Sequence, residues 1–431
     1  MSFEALQLAP PILKALSRCG HDSPTPVQRE AIPIALSGKD LIASANTGTG
    51  KTAAFVLPAL QKLFDDPSKR GLRILVLSPT RELAEQIARA TSKYGRYTKA
   101  HSVAIYGGMP FGDQIRALSQ SPEMIIATPG RLIDHIWRGR INLSNVEMFI
   151  LDEADRMLDM GFIEDVEFVA DAMPEQCQTL LFAATMNPAT TKLAQKFMKD
   201  PERVDLALGG KVTHDKIEQR LHITDNLQHK GRILRHLCSG EDLHRAIVFS
   251  ATKKDADMLA RQLGSEGFGV AALHGDMTQT VRNRTMENMR RGKIKILVAT
   301  DVAARGIDIT GVSHVINFDL PRSAEDYVNR IGRTGRASQS GVAISLVSQA
   351  DFEYLDRIER YIGQNLNIEV IPGLEPTRAL SAGKKSRPPS ARGKKPPFGR
   401  RRNRPAAQGA KPEARGAKAR ATSPRPKVSG A

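Results

Sequence analysis

The sequence predicts an α/β protein in which two units built on parallel sheets follow one another and end in a disordered basic tail. Three observations carry this. Short, wholly apolar runs alternate with helix-patterned stretches twice along the chain, the pattern of parallel sheets covered on both faces. One such run leads into a Gly-rich turn that opens a helix, Ser44-Ala45-Asn46-Thr47-Gly48-Thr49-Gly50-Lys51-Thr52. The third is charge: of a net +17, the segment from residue 376 onward holds 17 Lys and Arg against the single acid Glu413, leaving only +1 for residues 1–375.

The expected boundaries are a first unit at 1–207, a linker at 208–216, a second unit at 217–372 and a tail at 373–431. Paired Gly209 and Gly210 would let the two units move. The tail has almost no large apolar residues, so burial cannot offset its ordering entropy, and its charge suits it to a polyanion such as RNA. No apolar run approaches the ~20 residues of a membrane span. The start, Met1-Ser2-Phe3-Glu4, lacks the basic and apolar regions of a signal peptide. Cys19, Cys177 and Cys238 are too far apart for a CxxC metal site or a disulfide framework. The expected setting is therefore cytoplasmic, with no membrane partner.

In chain order, residues 1–40 read as a short helical preface in which the Gln28 amide could read a nucleobase edge and Phe3 could stack on the ring. The apolar run 40–43 is the strand that feeds the Gly-rich turn. A strand breaking into such a turn and then a helix frees backbone N–H groups and points a helix dipole at one spot, which suits phosphate. Lys51 would reach the outer phosphates, and the Thr52 hydroxyl would hold magnesium. Ala45 stands where the generic pattern has Gly. Further strands are expected at 73–77, 124–127 and 148–151. The last runs into Asp152-Glu153-Ala154-Asp155, at the carboxyl edge where such sheets bind ligands. Asp152 is placed to hold the metal and Glu153 to orient and deprotonate the attacking water.

The second unit has candidate strands at 246–249, 270–273, 294–298 and 314–318 and no phosphate loop of its own. Strand 74–77 followed by Ser78-Pro79-Thr80 is matched with strand 294–298 followed by Ala299-Thr300-Asp301, which suggests halves of like topology. In Tyr327-Val328-Asn329-Arg330-Ile331-Gly332-Arg333-Thr334-Gly335-Arg336, arginines at three-residue spacing make a compact cationic loop able to reach a γ-phosphate from the other half. Two similar halves, one of them binding nucleotide, imply a cleft that ATP closes.

With these motifs in order over residues 3 to about 372, the chain resembles the DEAD-box ATP-dependent RNA helicases, and its short N-terminus and bare basic tail are most similar to the bacterial RhlE-like group. The resemblance implies two RecA-like domains, ATP and Mg2+ as cofactors, and RNA as partner. It implies that Phe3 and Gln28 read adenine and that Ala45, Asn46, Thr47, Gly48, Thr49, Gly50, Lys51 and Thr52 bind the phosphates. Asp308 would hold the ribose, with Arg333 and Arg336 as arginine fingers. Pro79, Thr80, Arg81, Gly108, Thr128 and Arg131 would line the RNA path on the first domain, and Gly275, Arg282, Thr300 and Arg305 on the second. Thr, Gly and Arg are backbone readers, so binding would be sequence-independent.

Three positions depart from the family pattern: Asn46 for Gln, Ala183 for the Ser of Ser-Ala-Thr, and Asn329 for His. Together with Asp155 and Thr185, Ala183 and Asn329 would belong to the network that couples hydrolysis to closure, with Asn329 reaching Asp155. The expected activity is RNA-stimulated ATP hydrolysis with local unwinding of short RNA duplexes or remodelling of ribonucleoprotein. An ATP-dependent RNA clamp or annealing factor with weak unwinding is the alternative, and a translocating DNA helicase and a plain nucleic-acid scaffold are further rivals. The chain is expected to be a monomer working on ribosomal particles or beside RNA-decay proteins.

Overall fold

The computed structural model describes residues 2–45, 48–206, 217–304, 309, 311–335 and 340–377. Asn46, Thr47, Arg305, Asp308, Arg336, the expected linker and the tail from 378 lie outside the described residues.

The first sheet consists of β1 (Leu41–Ser44), β2 (Ile74–Leu77), β3 (Ser102–Ile105), β4 (Met124–Ala127), β5 (Met148–Leu151), β6 (Gln178–Ala183) and β7 (Glu202–Asp205). The second consists of β8 (Ile217–Ile223), β9 (Ala246–Phe249), β10 (Val270–Leu273), β11 (Ile296–Ala299), β12 (His314–Asn317), β13 (Gly341–Val347) and β14 (Asn367–Ile368). Among the described residues every pairing is parallel. The strand orders are β3-β4-β2-β5-β6-β1-β7 and β10-β11-β9-β12-β13-β8-β14. These are one order repeated, each strand of the second sheet standing seven places after its counterpart in the first.

The repeat corrects one expectation. Strand 74–77 is β2, whose counterpart is β9, whereas β11 corresponds to β4. The residues after a strand reflect its local turn; its place in the sheet is set by crossovers that local spelling does not encode.

Why the central strands read as unbroken apolar runs is plain from packing. In β2, Ile74 and Val76 join the core on one face while Leu75 and Leu77 join the core on the other. Successive side chains alternate, so a strand covered on both sides has no position for a polar residue. The helix Lys51–Asp65 packs on the first face, its Phe55 ring 5.2 Å from that of Phe182 on β6. This packing holds the phosphate-loop helix against the sheet. Among the described residues no helix is long and apolar enough to cross a membrane.

Candidate active site

The phosphate loop leaves β1 at Ser44, where the Ala45 N–H donates to the Ala183 carbonyl at 3.1 Å. Gly48 and Gly50 hold φ of 86° and 94°, left-handed values that favour glycine. Gly50 is the N-cap of Lys51–Asp65, and its carbonyl accepts from Gln28 Nε2 at 3.0 Å. A Cβ at Gly50 would collide with that amide. Gln28 Oε1 in turn accepts from the Thr25 N–H at 3.0 Å. Each amide atom of Gln28 thus keeps one further hydrogen-bonding position for a ligand. Lys51 is buried, and its Nζ donates to the Ala45 carbonyl at 2.7 Å, curled onto the loop that would cradle phosphate.

Beside it, β5 delivers the acidic turn. The Asp152 N–H bonds to the Leu77 carbonyl at 3.0 Å, and Glu153 turns the chain with φ of 52° before the helix Ala154–Asp159. Asp152 is buried with Oδ1 lacking any hydrogen bond. Burial, with Glu153 beside it, pushes the Asp152 carboxyl up to about 7. Glu153 Oε2 lies 3.3 Å from Arg156 Nη1, an ion pair without hydrogen-bond alignment. No cluster of three or more His, Cys, Asp and Glu exists among the described residues to bind a metal unaided. An orphaned carboxylate oxygen near a threonine hydroxyl fits magnesium that arrives on nucleotide phosphates, since this ion takes few protein ligands.

These groups share one cleft of about 500 Å³. Phe3, Gln28, Lys51, Thr52, Asp152 and Glu153 line it from the first domain, and Arg333 lines it from the second. His21 and Tyr94 also line it, with Tyr94 Oη 3.3 Å from His21 Nε2. Sequence reading missed them because they lie far apart in the chain and have no motif.

A second groove of about 440 Å³ lies between the domains. Pro79, Thr80, Thr128 and Arg131 line it from the first domain, with Arg81 beside them, and Gly275 and Arg282 from the second. Thr80 caps the helix Arg81–Tyr94 by accepting from the Leu83 N–H at 3.3 Å. Gly107 and Gly108 leave the room that the Arg81 guanidinium occupies. Thr300 follows β11, buried, its N–H on the Leu273 carbonyl at 3.3 Å.

Arg282, expected to contact RNA, lines this groove and also makes contacts across it. Its Nε and Nη2 lie 2.7 and 2.6 Å from Glu82 Oε1, and its Nη1 donates to the His274 carbonyl at 3.2 Å. It is a bridge between domains. Gln279 joins them, 3.4 Å from both Arg81 and Glu82. Glu82 follows Arg81 in a motif expected to line the path, and nothing in its local spelling marks it as the acceptor.

Of the expected coupling network, Asp155 and Thr185 are joined directly. Asp155 Oδ2 accepts from the Ala184 and Thr185 N–H groups and the Thr185 hydroxyl at 3.1, 2.9 and 3.0 Å, and Oδ1 from the Arg156 N–H at 3.1 Å. All four donors belong to the first domain, and among the described residues no hydrogen bond joins Asn329 to Asp155. Ala183, fully buried at the end of β6, faces the apolar core. Arg330 also turns inward: it pairs with Asp301 at 2.6 and 2.7 Å and donates to the Asp319 carbonyl at 2.6 Å, whereas Arg333 lines the cleft.

The comparisons agree with this geometry. Residues 25–193 match the DEAD/DEAH box helicase model and residues 229–338 the helicase conserved C-terminal domain. The DEAD-box ATP-dependent RNA helicase CshA of Bacillus cereus is 42% identical over 87% of this chain and 70% of its own length. The ATP-dependent RNA helicase SrmB of Haemophilus influenzae is 43% identical over 87% and 86%. Among solved structures, S. cerevisiae Dbp5 bound to RNA and ADP BeF3 aligns with a TM-score of 0.78 at 35% identity, covering 85% of this chain and 95% of that one. Two matched family models in order, with the acidic turn of β5 facing the phosphate loop, make this chain a member of the DEAD-box family of ATP-dependent RNA helicases.

Proposed function

We propose that the chain hydrolyses ATP in the cleft between its two domains and uses closure of that cleft on RNA to open short duplexes locally. The observation that carries this is the meeting of Arg333 from one domain with Lys51, Asp152 and Glu153 from the other around a single cavity. A cation supplied across a cleft makes hydrolysis depend on closure.

In this reading Phe3 and Gln28 hold the adenine, Asp308 the ribose and the loop 45–52 the phosphates. Lys51 leaves the Ala45 carbonyl for the outer phosphate oxygens; Thr52 and Asp152 would hold magnesium, which would supply charge neutralisation for the phosphates. Glu153 orients a water molecule toward the γ-phosphorus and accepts its proton as the bond to the bridging oxygen breaks. Arg333 and Arg336 stabilise the charge that develops on the transferring group. Thr80, Arg81, Gly108, Thr128 and Arg131, with Gly275, Thr300 and Arg305, take the RNA backbone. Their hydroxyls, N–H groups and cations suit phosphate and carry no base preference. The groove is built from both domains, so RNA bridging it would favour the closed state that completes the ATP site. The setting we retain is a cytoplasmic monomer working on RNA particles.

Steady-state ATP hydrolysis with and without single-stranded RNA, alongside strand release from a short RNA duplex, tests the reading. Hydrolysis stimulated by RNA, with release, is expected, and a chelator should abolish both. Hydrolysis indifferent to RNA would overturn it.

A further inference from the structure

The first domain carries a cationic and aromatic strip that runs out of the groove from Arg131, and beyond that residue the proposed mechanism does not use it. Three guanidinium groups surround the ring of Phe111: Arg131 at 4.2 Å, Arg138 at 5.2 Å and Arg140 at 5.7 Å from its centroid. The helix Pro129–Trp137 sets Arg131 and Arg138 about two turns apart on one face. It ends at Gly139, whose φ is 64°. The Gly139 N–H bonds to the Ile136 carbonyl at 2.8 Å and the Arg140 N–H to the His135 carbonyl at 2.9 Å. That pair of bonds is the left-handed helix cap that folds the chain back, and it returns Arg140 to the same ring.

Arg131 lines the groove and donates to the Met109 carbonyl at 3.1 Å, so the strip begins inside the expected RNA path. Arg138 and Arg140 are exposed, and among the described residues no carboxylate pairs with either. The acid beside the strip, Asp134, lies 3.8 Å from Arg131. One cation complements a helix C-terminus, but three on a single ring repel one another until an anion joins them. Their field is felt below: His135, fully buried, is held under its ordinary pKa by burial first and then by Arg140, Arg131 and Arg138.

Next to Arg138 stands Trp137, the chain's single tryptophan, 73% exposed and edge-on to Phe168 at 6.2 Å. Glu164 and Asp165, on the helix that carries Phe168, would repel phosphate. Cations tracking a backbone beside an exposed aromatic face are what single-stranded nucleic acid binds without sequence preference.

We propose that RNA leaving the groove continues along this strip, its phosphates on Arg138 and Arg140 and one base stacked on Trp137. This rests on the RNA reading above and extends the footprint beyond the interdomain groove.

Because Trp137 is the only tryptophan, intrinsic fluorescence of the full chain reports the strip directly. The chain is titrated with oligouridylates of about 6 and about 16 nucleotides in the presence of a non-hydrolysable ATP analogue. Quenching by the longer RNA alone is expected. Equal quenching by both would report closure of the cleft and overturn the proposal, as would no quenching by either. The paired variant Arg138→Gln with Arg140→Gln should weaken the longer RNA about tenfold at physiological salt and lower its salt slope by about 1.4, two phosphates at about 0.7 each. Trp137→Ala should weaken it roughly fivefold. The ratio of affinities for long and short RNA is the readout, so a general loss of folding is distinguishable from loss of the strip. ATP hydrolysis in the same samples separates the two readings: stimulation without quenching overturns the strip alone, and the absence of both overturns the RNA reading itself.

Discussion

Replacing Glu82 with glutamine tests whether the two domains are held together by one buried charge pair. Two guanidinium nitrogens of Arg282 lie 2.7 and 2.6 Å from a single oxygen of Glu82, with side-chain exposures of 10% and 16%. Exposed pairs are worth about 0–1 kcal/mol, and breaking a fully buried one costs about 3–5 kcal/mol. The substituted amide would keep the shape and an acceptor but lose the charge assistance of both bonds, so the loss falls near 2 kcal/mol. The pair spans the domains, so this cost weighs on closure and spares the fold of each half. A loss of about 2 kcal/mol lowers the closed population about thirtyfold and raises the RNA concentration for half-maximal ATP hydrolysis by a similar factor. The assay is that half-saturation for the parent chain, Glu82→Gln, Arg282→Gln and the double variant. Arg282 also lines the groove, so the cycle is needed to isolate the pair, and a coupling of about 1–2 kcal/mol is expected. Additive singles, or a shift under about twofold for Glu82→Gln, would refute the bridge.

Arg333→Gln should leave nucleotide binding to the first domain in place and lower RNA-stimulated turnover by about a thousandfold or more, read by steady-state hydrolysis beside nucleotide titration. Asp155→Ala strands donors that now share one carboxylate. It should cost about 3 kcal/mol of first-domain stability in denaturant melts, whereas a mere surface carboxylate would cost under about 0.5 kcal/mol. For Glu147, burial works to raise its pKa, but hydrogen bonds from Arg73 and Lys69 outweigh that and hold it below the ordinary glutamate value. A depressed carboxylate contributes stability that is present above its unfolded pKa and lost as pH falls through the folded one. Glu147→Gln should therefore flatten the fall in stability below about pH 4.5, measured by melting midpoints across that range.

Residues adjacent in sequence declared the nucleotide chemistry. The phosphate loop and the acidic turn are each a few consecutive residues whose function follows from local backbone: a glycine turn into a helix, and carboxylates at the end of a buried strand. Unbroken apolar runs likewise revealed the central strands, because burial on both faces leaves no polar position. The edge strand β14, only Asn367–Ile368 and exposed, has no such signature. What tertiary structure alone decided are the pairings between distant segments. Glu82 meets Arg282 across 200 positions, Asp155 meets Thr185, and Arg330 turns inward to Asp301 while Arg333 faces the cleft. Three arginines from one helix and its cap gather on Phe111 in the same way. A side chain's charge and reach are legible in sequence, but which partner satisfies it depends on how helices and crossovers bring remote turns together.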